Sequence, residues 1–110
     1  MPPPILNPTA PLTYTYGDTS PAIQIQEPNW NLSGASAVVI VEGQFIHLPI
    51  APFSGDTNVT VTQPGSGAGS LQYAWPSALP VGFYLVYFKV TDAGGKIRTT
   101  GAVQIIVTAA

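Results

Sequence analysis

The sequence has no cysteine, a single histidine and few charged residues. Charged side chains make up 7% of its 110 residues, whereas about 25% is usual for a globular domain. Without cysteine the chain can form neither a disulfide nor a thiolate-zinc site, and His47 alone does not provide the ligands of a histidine-based metal site or complete a Ser-His-Asp triad. Only Lys89, Lys96 and Arg98 are cationic. We therefore expect no metal and no nucleic-acid partner, because a protein that tracks phosphates needs many cations.

The carboxylates give no sign of a catalytic site. They are scattered along the chain at Asp18, Glu27, Glu42, Asp56 and Asp92. At least three lie in turn sequences, where Asp commonly accepts hydrogen bonds from the local backbone. A glycosidase pair is formally possible, but nothing in the sequence brings two of them into one cleft. The glycine-rich stretch at 64–70 lacks the lysine and the following helix of a phosphate loop. We predict a non-enzymatic protein with no cofactor and no small-molecule substrate.

Long hydrophobic runs are also missing. The longest, at residues 37–41 and 81–88, fall far short of the ~20 residues that span a bilayer. The N-terminal stretch has neither a basic region nor a continuous apolar region, so we expect no signal peptide and no membrane. Hydrophobic residues nevertheless make up 45% of the chain. This content predicts a folded domain rather than a disordered one.

The most regular stretch is residues 79–107, which reads as a hairpin. Residues 82–91 alternate with the period of two that a half-buried strand shows. The face predicted to be core carries Tyr84, Val86, Phe88 and Val90, and the opposite face carries Phe83, Leu85, Tyr87 and Lys89. Residues 92–95 supply turn chemistry. The return strand continues the alternation with Val103, Ile105 and Val107.

The entrance to this hairpin has the form of a tyrosine corner. Gly82-Phe83-Tyr84 comes just after Leu79-Pro80, with Val81 between them. In such corners a tyrosine near the start of a late strand donates its hydroxyl to an upstream backbone group while its ring fills the core. The alternative is that Tyr84 is a core aromatic without this hydrogen bond.

The rest of the chain is predicted to form short strands separated by turns. They are placed at residues 12–16, 22–26, 35–42, 57–62 and 71–75, with a short edge strand at 45–48. Tyr73 and Trp75 are assigned to the core. Because prolines and glycines interrupt every window of helical length, no helix is expected. The pattern predicts an all-β fold, an immunoglobulin-like antiparallel β-sandwich of seven to eight strands, over residues 12–110.

Two features indicate contacts with other proteins. Residues 1–11 carry five prolines, which predicts an extended arm; it is either a frayed terminus or a segment that lies on a neighbouring subunit through Pro2, Pro3, Pro4, Ile5 and Leu6. The second feature is the outward stripe of Phe83, Leu85 and Tyr87, which Ile106 could join. Large exposed apolar surface marks interaction sites. The alternative is that the arm or the loop at 43–55 covers this stripe.

Several short motifs occur in a recognisable order. They are Tyr16-Gly17-Asp18-Thr19, Leu32-Ser33-Gly34-Ala35, Tyr73-Ala74-Trp75, Gly82-Phe83-Tyr84, Phe88-Lys89-Val90 and the Gly95-Lys96 turn. In this order they resemble the small immunoglobulin-like structural proteins of tailed bacteriophages, similar to the N-terminal domain of phage upper-baseplate proteins. The resemblance covers about residues 14–107. Ser33 stands where that family more often has threonine, and the loop at 43–55 is more apolar than the family pattern.

The resemblance implies a structural role in the virion without catalysis. The expected partners are other virion proteins, including further copies of the chain within a particle assembled in the host cytoplasm. Capsid decoration, tail and baseplate positions all stay open. The alternative is a bacterial surface or adhesin-type immunoglobulin-like module that binds protein or carbohydrate, because such modules end in similar G-x-Y-x-V-x-V-T-D strands. The initiating Met1 and the lack of a secretion signal favour the phage interpretation.

Overall fold

The computed structural model describes residues 5–6, 10–27, 30–64 and 68–109, the first pair as backbone only. In these ranges the chain forms strands and no helix, so none of the described segments could cross a membrane as a helix. The predicted all-β class is confirmed. The described residues form nine strands: β1 (Ile5–Leu6), β2 (Leu12–Thr15), β3 (Ile23–Glu27), β4 (Ser36–Gly43), β5 (Thr60–Thr62), β6 (Gly69–Tyr73), β7 (Gly82–Thr91), β8 (Ile97–Thr99) and β9 (Val103–Thr108).

The strands form two sheets. One has the order β1-β3-β6-β5, and the other has the order β2-β9-β7-β4 with β8 also paired to β7. Neighbouring strands are antiparallel except for two pairs at the N-terminus of the chain: β1 runs parallel to β3, and β2 runs parallel to β9. The first two strands therefore contribute to different sheets. This arrangement is compatible with a β-sandwich.

Both sheets contribute side chains to one hydrophobic core. Alternate residues of β3 and β6 from one sheet, and of β4, β7 and β9 from the other, are buried in the same cluster. The period of two places β-branched and aromatic side chains inward, where a pleated surface accommodates them well. The six residues assigned to the core from the sequence are all buried: Tyr73, Trp75, Tyr84, Val86, Phe88 and Val90.

The return half of the hairpin is interrupted by a bulge. Residues 97–99 pair with 89–91 of β7 and residues 103–107 pair with 82–86, so three residues of the return strand face two of β7. Thr100 hydrogen-bonds to β7 at the bulge: its amide donates to the Phe88 carbonyl, and its hydroxyl accepts from the Phe88 amide, both at 3.0 Å. A bulge of one extra residue splits the predicted return strand into β8 and β9.

The tyrosine corner is confirmed. The Tyr84 hydroxyl donates to the Pro80 carbonyl oxygen at 2.6 Å, and the ring is buried. The glycine two residues earlier gives the ring room, because a β-carbon at Gly82 would lie 3.2 Å from the Tyr84 hydroxyl oxygen. The hydrogen bond thus connects the start of β7 to the segment that enters it.

Two strand predictions need correction. The edge strand predicted at 45–48 is wrong: residues 44–46 form a turn directly after β4, and the chain returns to the sheet only at a single bridge between Pro49 and Glu42. Tight backbone bonds within the loop, such as His47 N to Gly43 O at 2.9 Å, replace pairing along an edge. The strand predicted at 57–62 covers only Thr60–Thr62. Before it, the Asn58 amide donates to Asp56 Oδ1 at 3.0 Å and the Val59 amide donates to the Thr57 carbonyl at 2.8 Å, so these residues make local bonds instead of pairing along a strand.

Four aromatic residues form a cluster at one end of the core. Trp75 makes edge-to-face contacts with Tyr14, Phe53 and Tyr73, with ring centroids 6.3, 5.5 and 5.3 Å apart. Its indole N–H donates to the Tyr14 hydroxyl at 3.1 Å, and the Tyr73 hydroxyl donates to Asp56 Oδ2 at 2.8 Å. The polar ends of these buried rings are therefore satisfied, as buried Tyr and Trp require.

Stability is expected to fall at alkaline pH because tyrosine hydroxyls are buried. Burial raises the pKa of Tyr14, Tyr73, Tyr84 and Tyr87 above the ordinary value of 10, and the Asp56 carboxylate raises the pKa of Tyr73 further. The folded state then holds these protons more tightly than the unfolded state does. The contribution of these tyrosines to the free energy of unfolding is therefore complete below about pH 10 and is lost as the pH rises further.

Urea unfolding at stepped pH, read with tyrosinate absorbance, measures this loss. We expect the urea concentration at the unfolding midpoint to decline only above about pH 10. It should decline less steeply in Tyr73→Phe, because this substitution removes one of the titrating groups. A midpoint that stays constant into strongly alkaline solution would contradict the prediction.

Candidate functional site: an exposed apolar patch

The outward face of β7 is apolar and only partly covered. Phe83, Leu85 and Tyr87 alternate with the buried residues, as the sequence predicts, and Phe83 is 48% exposed. Leu85 and Tyr87 are half-buried. Ile106 of β9 lies opposite Phe83 in the sheet, a position from which it can join the stripe as the sequence predicts.

The loop after β4 adds three more apolar side chains to this face. Phe45 and Ile46 are each 74% exposed and Leu48 is 61% exposed. The Phe45 ring lies edge-on to the Phe83 ring, with centroids 5.7 Å apart. An apolar groove of about 250 Å³ runs between this loop and Phe83. We call Phe45, Ile46, Leu48 and Phe83 the loop–strand patch.

The loop extends the stripe rather than covering it. One alternative that the sequence leaves open is that residues 43–55 cover the outward face of β7. Phe45 does contact Phe83, but both rings keep about half or more of their surface in solvent. Contiguous exposed apolar side chains of this kind mark interaction sites on soluble proteins, whereas single exposed hydrophobic residues do not.

Backbone hydrogen bonds hold the patch in place. The Gln44 amide donates to the Phe83 carbonyl and the Gly43 amide to the Leu48 carbonyl, both at 3.0 Å. The side chain of Gln104 on β9 donates to Gln44 Oε1 at 2.8 Å. These bonds fix the loop against β7 and β9 before any partner arrives. A preordered surface loses less conformational entropy when it binds.

A small polar cluster borders the patch. The Glu42 carboxylate accepts from the Tyr87 hydroxyl at 3.4 Å and lies 3.2 Å from His47 Nδ1. Burial, followed by the nearby Glu42 charge, raises the pKa of Tyr87. His47 is exposed and adopts φ 61°, so it lies in the loop after the turn and not in the edge strand predicted from the sequence. An apolar centre with polar groups at its border is the usual composition of a protein interface.

The carboxylates serve local structure. Asp18 Oδ2 accepts from the Thr15 amide, Asp56 Oδ1 from the Asn58 amide, and Asp92 Oδ1 from the amides of two turn residues. In the part of the chain that the structure describes, no three His, Asp or Glu side chains lie close enough together to hold a metal ion. The turn roles inferred from the sequence match these contacts.

The predicted interface residues have different positions. Phe83 lies in the loop–strand patch, with Leu85 and Tyr87 beside it on β7. Pro2, Pro3 and Pro4 lie outside the described residues. The backbone of Ile5–Leu6 pairs with β3 of the same chain.

Sequence reasoning missed Phe45, Ile46 and Leu48 as site residues. The unusually apolar composition of GQFIHLP is the available signal in the sequence, but it also fits the edge strand predicted at 45–48. Comparison with protein-family models, with curated proteins and with solved structures gave no match. The interpretation of the patch therefore depends on its own geometry and chemistry.

Proposed function

We propose that the chain is a non-enzymatic structural protein of a tailed-bacteriophage particle, an immunoglobulin-like accessory domain that docks on another virion protein through the loop–strand patch. The observation that carries the proposal is the patch itself. Four large apolar side chains share one surface, on a chain whose charge content is far below the usual value. Such a surface is weakly protected against association, and a partner would cover it.

The strand order supports the immunoglobulin-like part of the proposal. In the immunoglobulin constant-type order, strands ABED form one sheet and strands CFG form the other. Here β1-β3-β6-β5 corresponds to the first set and β4-β7-β9 to the second. The tyrosine corner at Tyr84, at the start of the strand that corresponds to F, supports the same assignment. The parallel pairing of β1 with β3 departs from a purely antiparallel sheet.

The chemistry of the patch favours a protein partner. Two phenylalanine rings stand at its centre, and aromatic anchors carry much of the binding energy at protein interfaces. The lining of the groove is almost entirely apolar, so a small polar ligand would find few hydrogen-bond partners there. The partner that these properties favour is an apolar segment of a neighbouring virion protein.

The first test is whether the chain is a component of purified particles. We expect mass spectrometry of gradient-purified particles to detect the chain at a reproducible copy number. We also expect it to stay bound after washing in about 1 M NaCl, since apolar contacts are not screened at the short Debye length of that salt. Absence from the particles, or display on a bacterial cell surface instead, would refute the virion role.

The N-terminal arm is proposed to make a second contact with the particle. Deleting residues 1–4 removes three of the five prolines and leaves β1 paired with β3. We expect incorporation into particles to fall several-fold while the melting temperature stays that of the full chain, because the core is untouched. Quantitative mass spectrometry of particles assembled with each form measures the difference. Equal incorporation of the two forms would show that residues 1–4 make no contact.

A further inference from the structure

A second depression lies at one end of the sheets, where the β3–β4 connection meets the β7–β8 turn. The two segments come so close that a β-carbon at Gly34 would lie 3.3 Å from the β-carbon of Ala93. The Leu32 amide also donates to Gln63 Oε1 at 2.9 Å, which ties the first segment to the end of β5. The depression encloses about 320 Å³. We call it the Trp30–Arg98 cleft; its lining residues are Trp30, Asn31, Leu32, Val90, Asp92 and Arg98.

Two side chains in the cleft are held by the backbone and still present free polar atoms. Asn31 Oδ1 accepts from the Ser33 amide at 2.9 Å, which fixes the orientation of the amide group and leaves its NH₂ as a donor. Asp92 Oδ1 accepts from the amides of Gly94 and Lys96, both at 2.9 Å. The second carboxylate oxygen, Oδ2, remains as an acceptor. Donor and acceptor are therefore fixed before a ligand arrives.

Arg98 supplies a positive charge that forms no salt bridge with any carboxylate of the described residues. Its guanidinium carbon lies 5.3 Å from the centroid of the Trp30 ring, a cation–π contact that orients the planar group. Among the described residues, no Asp or Glu oxygen lies within 4.0 Å of the Arg98 nitrogens. A guanidinium has five N–H donors in a fork that matches a carboxylate. This fork is available to a ligand.

We infer that the Trp30–Arg98 cleft binds an acidic saccharide. A sugar carboxylate would pair with the Arg98 fork, and ring hydroxyls would donate to Asp92 Oδ2 and accept from the Asn31 amide. The apolar face of the ring would contact Trp30. A nucleic acid fits poorly, because a single cation beside a carboxylate cannot neutralise a run of phosphates. A purely apolar ligand would leave the polar atoms of Asn31, Asp92 and Arg98 unpaired.

An NMR titration of the isotope-labelled full chain tests the inference with tetragalacturonate as the probe. We expect saturable shifts of the Trp30 indole and the Arg98 side-chain N–H signals. The Trp75 indole is an internal reference, since it is buried and bonded to the Tyr14 hydroxyl, and it should not move. Maltotetraose, which has hydroxyls but no carboxylate, should bind at least about tenfold more weakly.

Three variants separate specific recognition from general charge attraction. Arg98→Gln should weaken binding at least about tenfold, because it removes the fork. Lys96→Gln is the matched control: it removes the same charge two residues earlier in the sequence, from a residue outside the lining, and it should bind like the wild type. Asn31→Asp keeps the acceptor for the Ser33 amide, replaces the donor with a negative charge, and should also weaken binding.

Several outcomes would overturn the inference. They are an absence of saturable shifts at about 10 mM probe, equal weakening by Lys96→Gln and Arg98→Gln, equal binding of maltotetraose, and the same shifts from acetate at equal carboxylate concentration. Dispersed spectra of all three variants confirm folding. The titration uses the isolated chain and residues outside the loop–strand patch, so its result is independent of the virion role.

Discussion

Replacing Trp75 with alanine is expected to lower the free energy of unfolding by about 3–5 kcal/mol. Trp75 is 6% exposed and lies at the centre of the aromatic cluster, in edge-to-face contact with Tyr14, Phe53 and Tyr73. The substitution leaves a cavity where a large ring was packed, and it removes three aromatic pairs. It also takes away the donor that the Tyr14 hydroxyl accepts from.

The effect is a large fraction of the stability of such a domain, which is about 5–15 kcal/mol. Urea denaturation with far-UV circular dichroism measures the change. Tyr16→Ala is the matched control, because Tyr16 is an aromatic residue two positions after Tyr14 in the sequence but is 55% exposed. It should change the free energy of unfolding by less than about 1 kcal/mol. Equal effects of the two substitutions would mean that the cluster does not carry stability.

The sequence predicts the hairpin correctly because its signal is local. Residues of β7 alternate without a break from Tyr84 to Val90, and a strand with one buried face needs that period. The G-x-Y triplet has a similarly local cause, since the Tyr84 hydroxyl reaches a carbonyl only four residues upstream. The bulge at Thr100 escaped prediction because it depends on register across two strands. A period of two within one strand carries no such information.

The loop–strand patch was only half predictable. Phe83 follows from the alternation of β7, whereas Phe45 joins it because a turn after β4 brings the two rings together across the sheet. The same composition read as an edge strand would have placed these side chains elsewhere. The Trp30–Arg98 cleft combines segments more than 50 residues apart in sequence. No short sequence motif indicates that such distant segments lie side by side in the fold.

The two proposed surfaces both carry few charged residues, as does the chain as a whole. The chain has three cations, and one of them, Arg98, stacks on an aromatic ring in the cleft. Glu42 and His47 border the loop–strand patch and lie 3.2 Å apart. Each surface therefore has a distinct chemistry: apolar contact at one, and a single directed charge with fixed polar atoms at the other. A substitution at one site should leave binding at the other unchanged.

The double substitution Phe45→Ser and Phe83→Ser is expected to reduce incorporation into phage particles at least about tenfold, which corresponds to about 1.4 kcal/mol. These rings form the centre of the patch and lie edge to face, with their centroids 5.7 Å apart. Aromatic anchors at the centre of an interface commonly contribute more than this when they are truncated. Quantitative mass spectrometry of particles assembled with each form measures incorporation.

The stability of the free domain separates an interface role from a core role. Phe45 and Phe83 are 74% and 48% exposed, so the double variant should lose less than about 1.5 kcal/mol of unfolding free energy. The matched control is Tyr16→Ser with Ile97→Ser, which removes one exposed aromatic and one exposed aliphatic side chain outside the patch. This control should be incorporated like the wild type, because the loss of apolar surface elsewhere does not disturb the contact. If the two double variants were incorporated equally, or if the patch variant unfolded instead of detaching, the loop–strand patch would not be the docking surface.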